Sequence, residues 1–182
     1  MGDGQKHARV QLYTGEGEGK TANAFGLALR AFGQGKKVII IQFMKGRKNI
    51  GEVKAIQKLR KLADAKIELK QFGRKEFIIP ITKPTKKDFE LAEKGFNYAF
   101  QSLKKKPDLL VLDEVNLACW AGLLKAGQVI ELINKAPKKT TIVLTGRRAP
   151  KQLIQIADLV TEMREIKHPF RKGVKAVKGI EY

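Results

Sequence analysis

Apolar residues fall along this chain in two rhythms. Near-continuous runs, Val10 to Tyr13, Lys37 to Phe43, Leu109 to Leu112 and Thr140 to Leu144, are rich in Val, Ile and Leu. Such runs suit strands buried on both faces, as in a parallel sheet. Between them apolar residues recur at helical spacing: Ala22 to Ala31, Glu52 to Leu62 (Val53, Ile56, Leu59, Leu62), Gln128 to Asn134 and Lys151 to Ala157. Thr85 or Asp88 is placed to cap a further helix reaching about Leu103, and Pro150 to start the one over 151–157. Lys66 to Phe72 and Leu159 to Ile166 alternate with period two, as half-buried strands do. Val115 to Cys119, Trp120, Leu123 and Leu124 predict a helical or turn region packed on the sheet, with Cys119 and Trp120 in the core. Gly73 to Thr85, with Pro80 and Pro84, has no regular pattern; long loops inside compact domains tend to be functional. Strands alternating with helices predict an α/β fold, a mainly parallel sheet with helices on both faces.

Length and composition narrow this picture only a little. The 182 residues read most simply as one domain, 1–182, and 43% hydrophobic residues are enough for a core. No run approaches a membrane span, and Met1 to Arg9 carries no apolar signal region. Cys119 is the single cysteine, which fits a reducing compartment and predicts a cytoplasmic protein.

Charge changes the picture more. Against 18 Asp+Glu stand 37 Lys+Arg, a net charge of +19. Such a surface attracts polyanions: nucleic acid, nucleotide, anionic membrane or acidic proteins. The lysines are spread along the chain rather than gathered, which favours a solvated surface. No aromatic-rich basic stripe accompanies them, so a nucleic-acid partner is not expected.

The chemistry begins at Thr14-Gly15-Glu16-Gly17-Glu18-Gly19-Lys20-Thr21, between an expected strand and an expected helix. That is the setting of a phosphate-binding P-loop. Glycines turn several backbone N–H groups to one concave side, and the new helix adds free N–H groups and the positive end of its dipole. Lys20 is placed to reach phosphate and Thr21 to hold Mg²⁺. Thr14 stands where the full pattern has its first glycine, and Glu16 and Glu18 must point outward or meet a cation. Downstream, an apolar strand ending in Asp113-Glu114 is the Walker B arrangement that supplies an acid for Mg²⁺. Lys45 just beyond one strand end, and Arg147-Arg148 beyond another, are placed to contact ligand. Cysteines and histidines show no metal-ligand spacing, and no nucleophile–base pair stands out.

Several segments together carry a resemblance. They are the loop around Gly19-Lys20-Thr21, Gln42-Phe43-Met44-Lys45-Gly46, Asp113-Glu114-Val115-Asn116, Thr145-Gly146-Arg147, Ala157 to Met163, Lys167-His168-Pro169-Phe170 and Gly179-Ile180-Glu181-Tyr182. In order and spacing the chain resembles the P-loop ATP:corrinoid adenosyltransferases (cob(I)yrinic acid a,c-diamide adenosyltransferases), from about Val10 to Tyr182. The resemblance implies a P-loop NTPase, recombinase-like architecture. It implies transfer of the 5′-deoxyadenosyl group of ATP to Co(I) of a reduced corrinoid, in cobalamin biosynthesis or salvage, with release of triphosphate. Cobalt is then the nucleophile, so no catalytic side chain is expected. ATP lies reversed in the loop in that family, with which Thr14 agrees.

Carried onto this sequence, the resemblance implies triphosphate contacts from Gly15, Gly17, Gly19, Lys20, Thr21 and Arg147, with Thr14, Glu16, Glu18 and Lys45 completing the ATP site. It implies Mg²⁺ at Thr21 and Glu114, supported by Asp113. The family commonly has Asn or Asp at position 16 and Lys at 18; here Lys45 or Arg148 is expected to offset the charge lost at Glu18. For the corrinoid, Phe77, then Phe72, stand in the stretch that displaces the lower cobalt ligand in relatives, and His168 is a further contact. A homodimer is expected, and the basic surface suits an acidic flavoprotein electron donor. The alternatives are a nucleic-acid-stimulated recombinase-like ATPase and a non-catalytic nucleotide-binding regulator.

Overall fold

The computed structural model of the chain describes residues 7–62, 64–75 and 83–180. Six strands form one sheet in the order β3-β2-β4-β5-β1-β6. They are β1 (Arg9–Thr14), β2 (Val38–Phe43), β3 (Ile67–Phe72), β4 (Leu109–Asp113), β5 (Thr141–Thr145) and β6 (Leu159–Glu162). Every pairing is parallel. The helices are α1 (Lys20–Gly33), α2 (Gly51–Leu59), α3 (Lys86–Ser102), α4 (Val115–Trp120), α5 (Ala126–Lys135) and α6 (Lys151–Ile156). This is the α/β architecture of a P-loop NTPase.

The apolar runs bury both faces. Ile39, Ile41 and Phe43 join Leu110, Leu112, Ile142 and Leu144 under residues of α3 to α6. The alternate positions Val38, Ile40, Val111 and Val143 pack against Ala24, Phe25 and Ala28 of α1 and Ile56 of α2. Period-two side-chain alternation divides one apolar run between two cores.

Two expected elements end early. The helix begun at Gly51 stops at Leu59, and Leu62, expected on its apolar side, is 57% exposed. β6 ends at Glu162 rather than running to Ile166, and its four residues are all exposed. It is an edge strand, paired only with β1, so no second neighbour extends its ladder. Trp120 is also not core: it ends α4 and is 42% exposed. Cys119 beside it is partly buried, and burial pushes its thiol up to about 12, far from a reactive thiolate.

At the α3 end of the Gly73–Thr85 stretch, Thr85 and Arg74 converge on Asp88. Asp88 accepts from the Thr85 N–H and hydroxyl, both at 2.8 Å, and from Arg74 Nε and Nη2 at 2.8 and 2.9 Å. Thr85 is therefore the N-cap of α3, with Asp88 reaching back from the first turn. On the other side, Gly46 and Gly73 bring two loops into backbone contact. A Cβ on Gly73 lies 2.2 Å from Lys45 N, and one on Gly46 lies 2.3 Å from Gly73 O. Only glycines permit that approach, and it fixes the backbone from which Lys45 extends.

Gly73→Ala is expected to lower stability by about 2 kcal/mol through overpacking of rigid backbone, read by urea unfolding. Asp88 offers a pH test. Burial pushes its carboxyl up, but the Thr85 and Arg74 hydrogen bonds outweigh this and hold it below the ordinary value. A depressed folded value stabilises above the unfolded value of about 3.9, and the effect is lost as pH falls through the lower folded value. Asp88→Asn is thus expected to lose about 2 kcal/mol near neutral pH, with the gap to wild type closing below about pH 4. Urea unfolding at both pH values checks it.

Candidate functional site

The site forms where β1, β2, β4 and β5 end and the P-loop turns into α1. Gly15 and Gly19 have φ of +98° and +97°, which glycine accepts without strain. A second constraint acts on the loop. The chain leaving β6 runs directly against it: Gly17 N–H donates to Met163 O and Met163 N–H to Thr14 O, both at 2.8 Å. A Cβ on Gly15 meets Met163 O at 2.3 Å, and one on Gly17 meets Arg164 C at 2.7 Å. These glycines therefore serve close packing as well as torsion. Thr14, at the position of the missing glycine, accepts a 3.3 Å bond from Ala149 N–H and so fastens the turn after β5.

Lys20 is folded into its own loop, 7% exposed, donating to Gly15 O at 2.8 Å and to Gly17 O. Burial, then the charge of Arg147, lowers its pKa; Glu114 and Glu16 act against them. Both effects favour giving the ammonium an anionic partner.

Asp113 is the centre of the cluster. It is fully buried and accepts from Thr21 Oγ1 (3.0 Å), Thr145 Oγ1 (2.6 Å), Gln42 Nε2 (2.8 Å) and Lys45 Nζ (2.8 Å). Burial pushes its carboxyl up, yet Lys45 and these bonds hold it below the ordinary value. Lys45 Nζ also lies 2.8 Å from Thr21 Oγ1 and 3.5 Å from Glu114 Oε1. Burial opposes its charge, but Asp113 and Glu114 raise its pKa, so it stays protonated.

Glu114 takes a left-handed backbone, φ 62°, and its N–H donates to Thr145 Oγ1 at 3.0 Å. Burial, with Asp113 beside it, pushes its carboxyl up against the pull of Lys45. Its Oε2 is buried without a hydrogen-bond partner. Asn116 Nδ2 braces Tyr13 O and Gly146 O at 3.3 Å each, a bracing role that the sequence reading missed.

Thr21, Asp113 and Glu114 thus surround one cationic atom with hard oxygens, and one carboxylate oxygen is left over. That donor set suits Mg²⁺ bound by few protein ligands and a phosphate. Among the described residues no three His, Cys, Asp or Glu gather as a self-sufficient metal cage. The Lys45 ammonium marks the place of a cation and fits the assignment.

At the rim, Glu16 faces outward toward two arginines and Glu18 toward a histidine. Glu16 lies 3.3 Å from Arg147 Nη1 and 4.0 Å from Arg148 Nε, and Glu18 lies 2.8 Å from His168 Nε2. Of the two cations expected to offset Glu18, Lys45 is engaged by Asp113, and Arg148 lies 4.1 Å over the Trp120 ring. Sequence spacing carries no signal for the Glu18–His168 contact, which joins the loop to the C-terminal segment.

Among the described residues, the two corrinoid candidates do not gather. Phe72 ends edge strand β3 and packs 5.7 Å from Tyr98 and against Gly95. His168 lies by the P-loop, toward the opposite edge of the sheet. Phe77 lies outside the described residues.

Comparison with known proteins agrees with this geometry. The sequence model of the family described as "ATP:corrinoid adenosyltransferase BtuR/CobO/CobP" matches residues 6–182. A protein of Pseudomonas aeruginosa named "Corrinoid adenosyltransferase" is 36% identical over 173 residues, covering 94% of this chain and 82% of its own. One of Escherichia coli with the same name is 33% identical over 174 residues, covering 95% and 85%. One of Sinorhizobium, again so named, is 34% identical over 175 residues, covering 95% and 79%.

The cluster makes a stability prediction independent of activity. Asp113→Ala strands the partly buried Lys45 ammonium and the donors of Gln42, Thr21 and Thr145. It is expected to cost about 3–5 kcal/mol in urea unfolding, the scale of breaking a buried ion pair from one side.

Proposed function

The chain belongs to the ATP:corrinoid adenosyltransferase family, and from that premise we propose how its residues serve the transfer of adenosyl from ATP to a reduced corrinoid. In this reaction the Co(I) electron pair attacks C5′ of ATP. The Co–C bond forms, the C5′–O bond breaks, and its electron pair leaves with the triphosphate. The protein's task is to bind, orient and neutralise charge.

The observation that carries the site assignment is the Thr21–Asp113–Glu114 cluster around the Lys45 ammonium, beside Lys20 and the start of α1. Gly19, Lys20 and Thr21 at the helix N-terminus receive phosphate oxygens on their backbone N–H groups. Lys20 leaves the Gly15 and Gly17 carbonyls for the phosphates. Arg147, exposed and paired only at the surface with Glu16, turns its planar donors to the same anion. Thr21 and Glu114, with Asp113 behind them, would hold Mg²⁺, and the ion would supply positive charge beside the triphosphate. Lys45, Glu16, Glu18 and Thr14 complete the loop's surroundings.

The proposal treats residues 1–182 as a single domain, working as a homodimer in the cytoplasm with an acidic flavoprotein as electron donor. The net charge of +19 supports such a donor. No helix among the described residues is long and apolar enough to cross a membrane. A role for Phe77, and after it Phe72, in displacing the lower cobalt ligand is part of the proposal, with His168 as a further corrinoid contact. The family match does not favour the nucleic-acid-stimulated ATPase.

With Mg-ATP and a chemically reduced corrinoid, the Co(I) absorbance is expected to fade as tripolyphosphate appears. Orthophosphate release stimulated by single-stranded nucleic acid, without adenosylated product, overturns the reading. Lys20→Ala and Thr21→Ala are each expected to lower kcat/KM by about 10²–10³-fold, as loss of one electrostatic contact to the reacting group does. Unchanged kcat/KM in both variants overturns the site assignment.

A further inference from the structure

Lys45 sits where the cation assigned to this site belongs. Its ammonium contacts Thr21 Oγ1 and Asp113 Oδ2 at 2.8 Å and Glu114 Oε1 at 3.5 Å, the three side chains assigned to Mg²⁺. The lysine and a metal ion cannot hold these oxygens at once. Its backbone is fixed: Met44, at φ 57°, donates to Phe72 O at 2.9 Å, and Gly73 lies against Lys45 N. The side chain is not enclosed. It remains 27% exposed, whereas Asp113 is fully buried, so the ammonium reaches the cluster from the open side. A flexible four-carbon stem on a rigid base allows the head group to move while the loop stays.

Charge balance says when it moves. Two carboxylates, Asp113 and Glu114, are matched by two ammoniums, Lys45 and Lys20, both coupled to Glu114. A divalent ion entering alone must drive an ammonium out of a neutral cluster, with no anion to receive it. A divalent ion entering with a triphosphate brings the negative charge that accepts the displaced ammonium.

We propose that Lys45 is a resident cation that holds the metal-binding oxygens together in the empty site, excludes free divalent ions, and passes to the triphosphate when metal and nucleotide enter together. This rests on the assignment of Thr21, Asp113 and Glu114 to the metal. Lys45 is then a positioning residue before nucleotide arrives and a phosphate contact afterwards. The cluster needs no preloaded metal to stay assembled.

The test is Mn²⁺ binding without nucleotide, followed by electron paramagnetic resonance of the free ion. Wild type is expected to bind weakly. Lys45→Met, of similar length and uncharged, is expected to bind Mn²⁺ at least about tenfold more tightly. The same variant is expected to bind tripolyphosphate about tenfold more weakly. Mn²⁺ is also expected to raise the melting temperature of Lys45→Met while leaving wild type unmoved. If Lys45→Met unfolds too readily to titrate, Lys45→Gln, whose amide still donates to Asp113, is titrated with the same expectations. Mn²⁺ affinity equal to or below that of wild type overturns the proposal. Glu114→Gln separates the two readings. If it weakens Mn²⁺ binding in the presence of tripolyphosphate while neutralising Lys45 brings no gain, the metal site stands and the role of Lys45 falls. If Glu114→Gln changes Mn²⁺ binding in neither background, the metal is elsewhere and both fall.

Discussion

A fully buried carboxylate cannot keep its charge in a protein interior without partners, and Asp113 is the group to which this site is fitted. Its four hydrogen-bond donors come from four places: Thr21 on α1, Gln42 in β2, Lys45 after β2 and Thr145 at the end of β5. α1, β2 with the residues after it, and β5 thus all send donors to one pair of oxygens. The register of the sheet makes this possible. Gln42 stands opposite Asp113 across the β2–β4 pairing, and β5 borders β4 on the other side. Gln71 then steadies Gln42 from β3 at 3.0 Å. Losing the charge on Asp113 releases the whole constellation, which is why the ion pair with Lys45 matters to fold and site alike.

Much of this could be read from residue order. The apolar runs announced β1, β2, β4 and β5 because strands buried on both faces leave few polar positions. The phosphate loop was visible because Gly19-Lys20-Thr21 is local chemistry, and Asp113-Glu114 because it closes an apolar run. What spacing could not show is which of the two acids is buried. Successive strand residues face opposite ways, and the left-handed turn at Glu114 ends the alternation between them. The end of β6 was equally hidden. Val160 and Glu162 keep a strand rhythm, but an edge strand's length depends on its neighbour. Lys45 could be placed beyond a strand end, yet its aim depends on Gly46 and Gly73 meeting across two loops. Such a contact leaves no periodic trace.

The segment after β6 changes the meaning of the loop's glycines. In a free phosphate loop, small residues serve the anion. Here Gly15 and Gly17 also face backbone of Met163 and Arg164 at distances no side chain tolerates. The N–H of Gly17 is committed to Met163 O and is one donor fewer for a ligand. Loop shape is therefore set in part by residues far away in sequence. The C-terminal segment, from Met163 to His168, belongs to the wall of the site.

The acidic residues of the loop follow from where burial ends. Asp113 and Lys45 meet in low dielectric, where one partner without the other is costly. Glu16 meets Arg147 and Arg148, and Glu18 meets His168, at the rim, with glutamate side chains 59% and 61% exposed. Exposed pairs contribute only about 0–1 kcal/mol each, so a multiply charged phosphate can take their cations at little cost. The same weak pairs hold arginines near the loop while it is empty, in a chain whose net charge of +19 otherwise drives cations apart. A lysine at position 18 would add attraction for phosphate. A glutamate there instead holds His168 of the C-terminal segment beside the loop. The loop's carboxylates are thus compatible with phosphate binding because they are exposed, whereas those of the Asp113 cluster are compatible with it because they are neutralised.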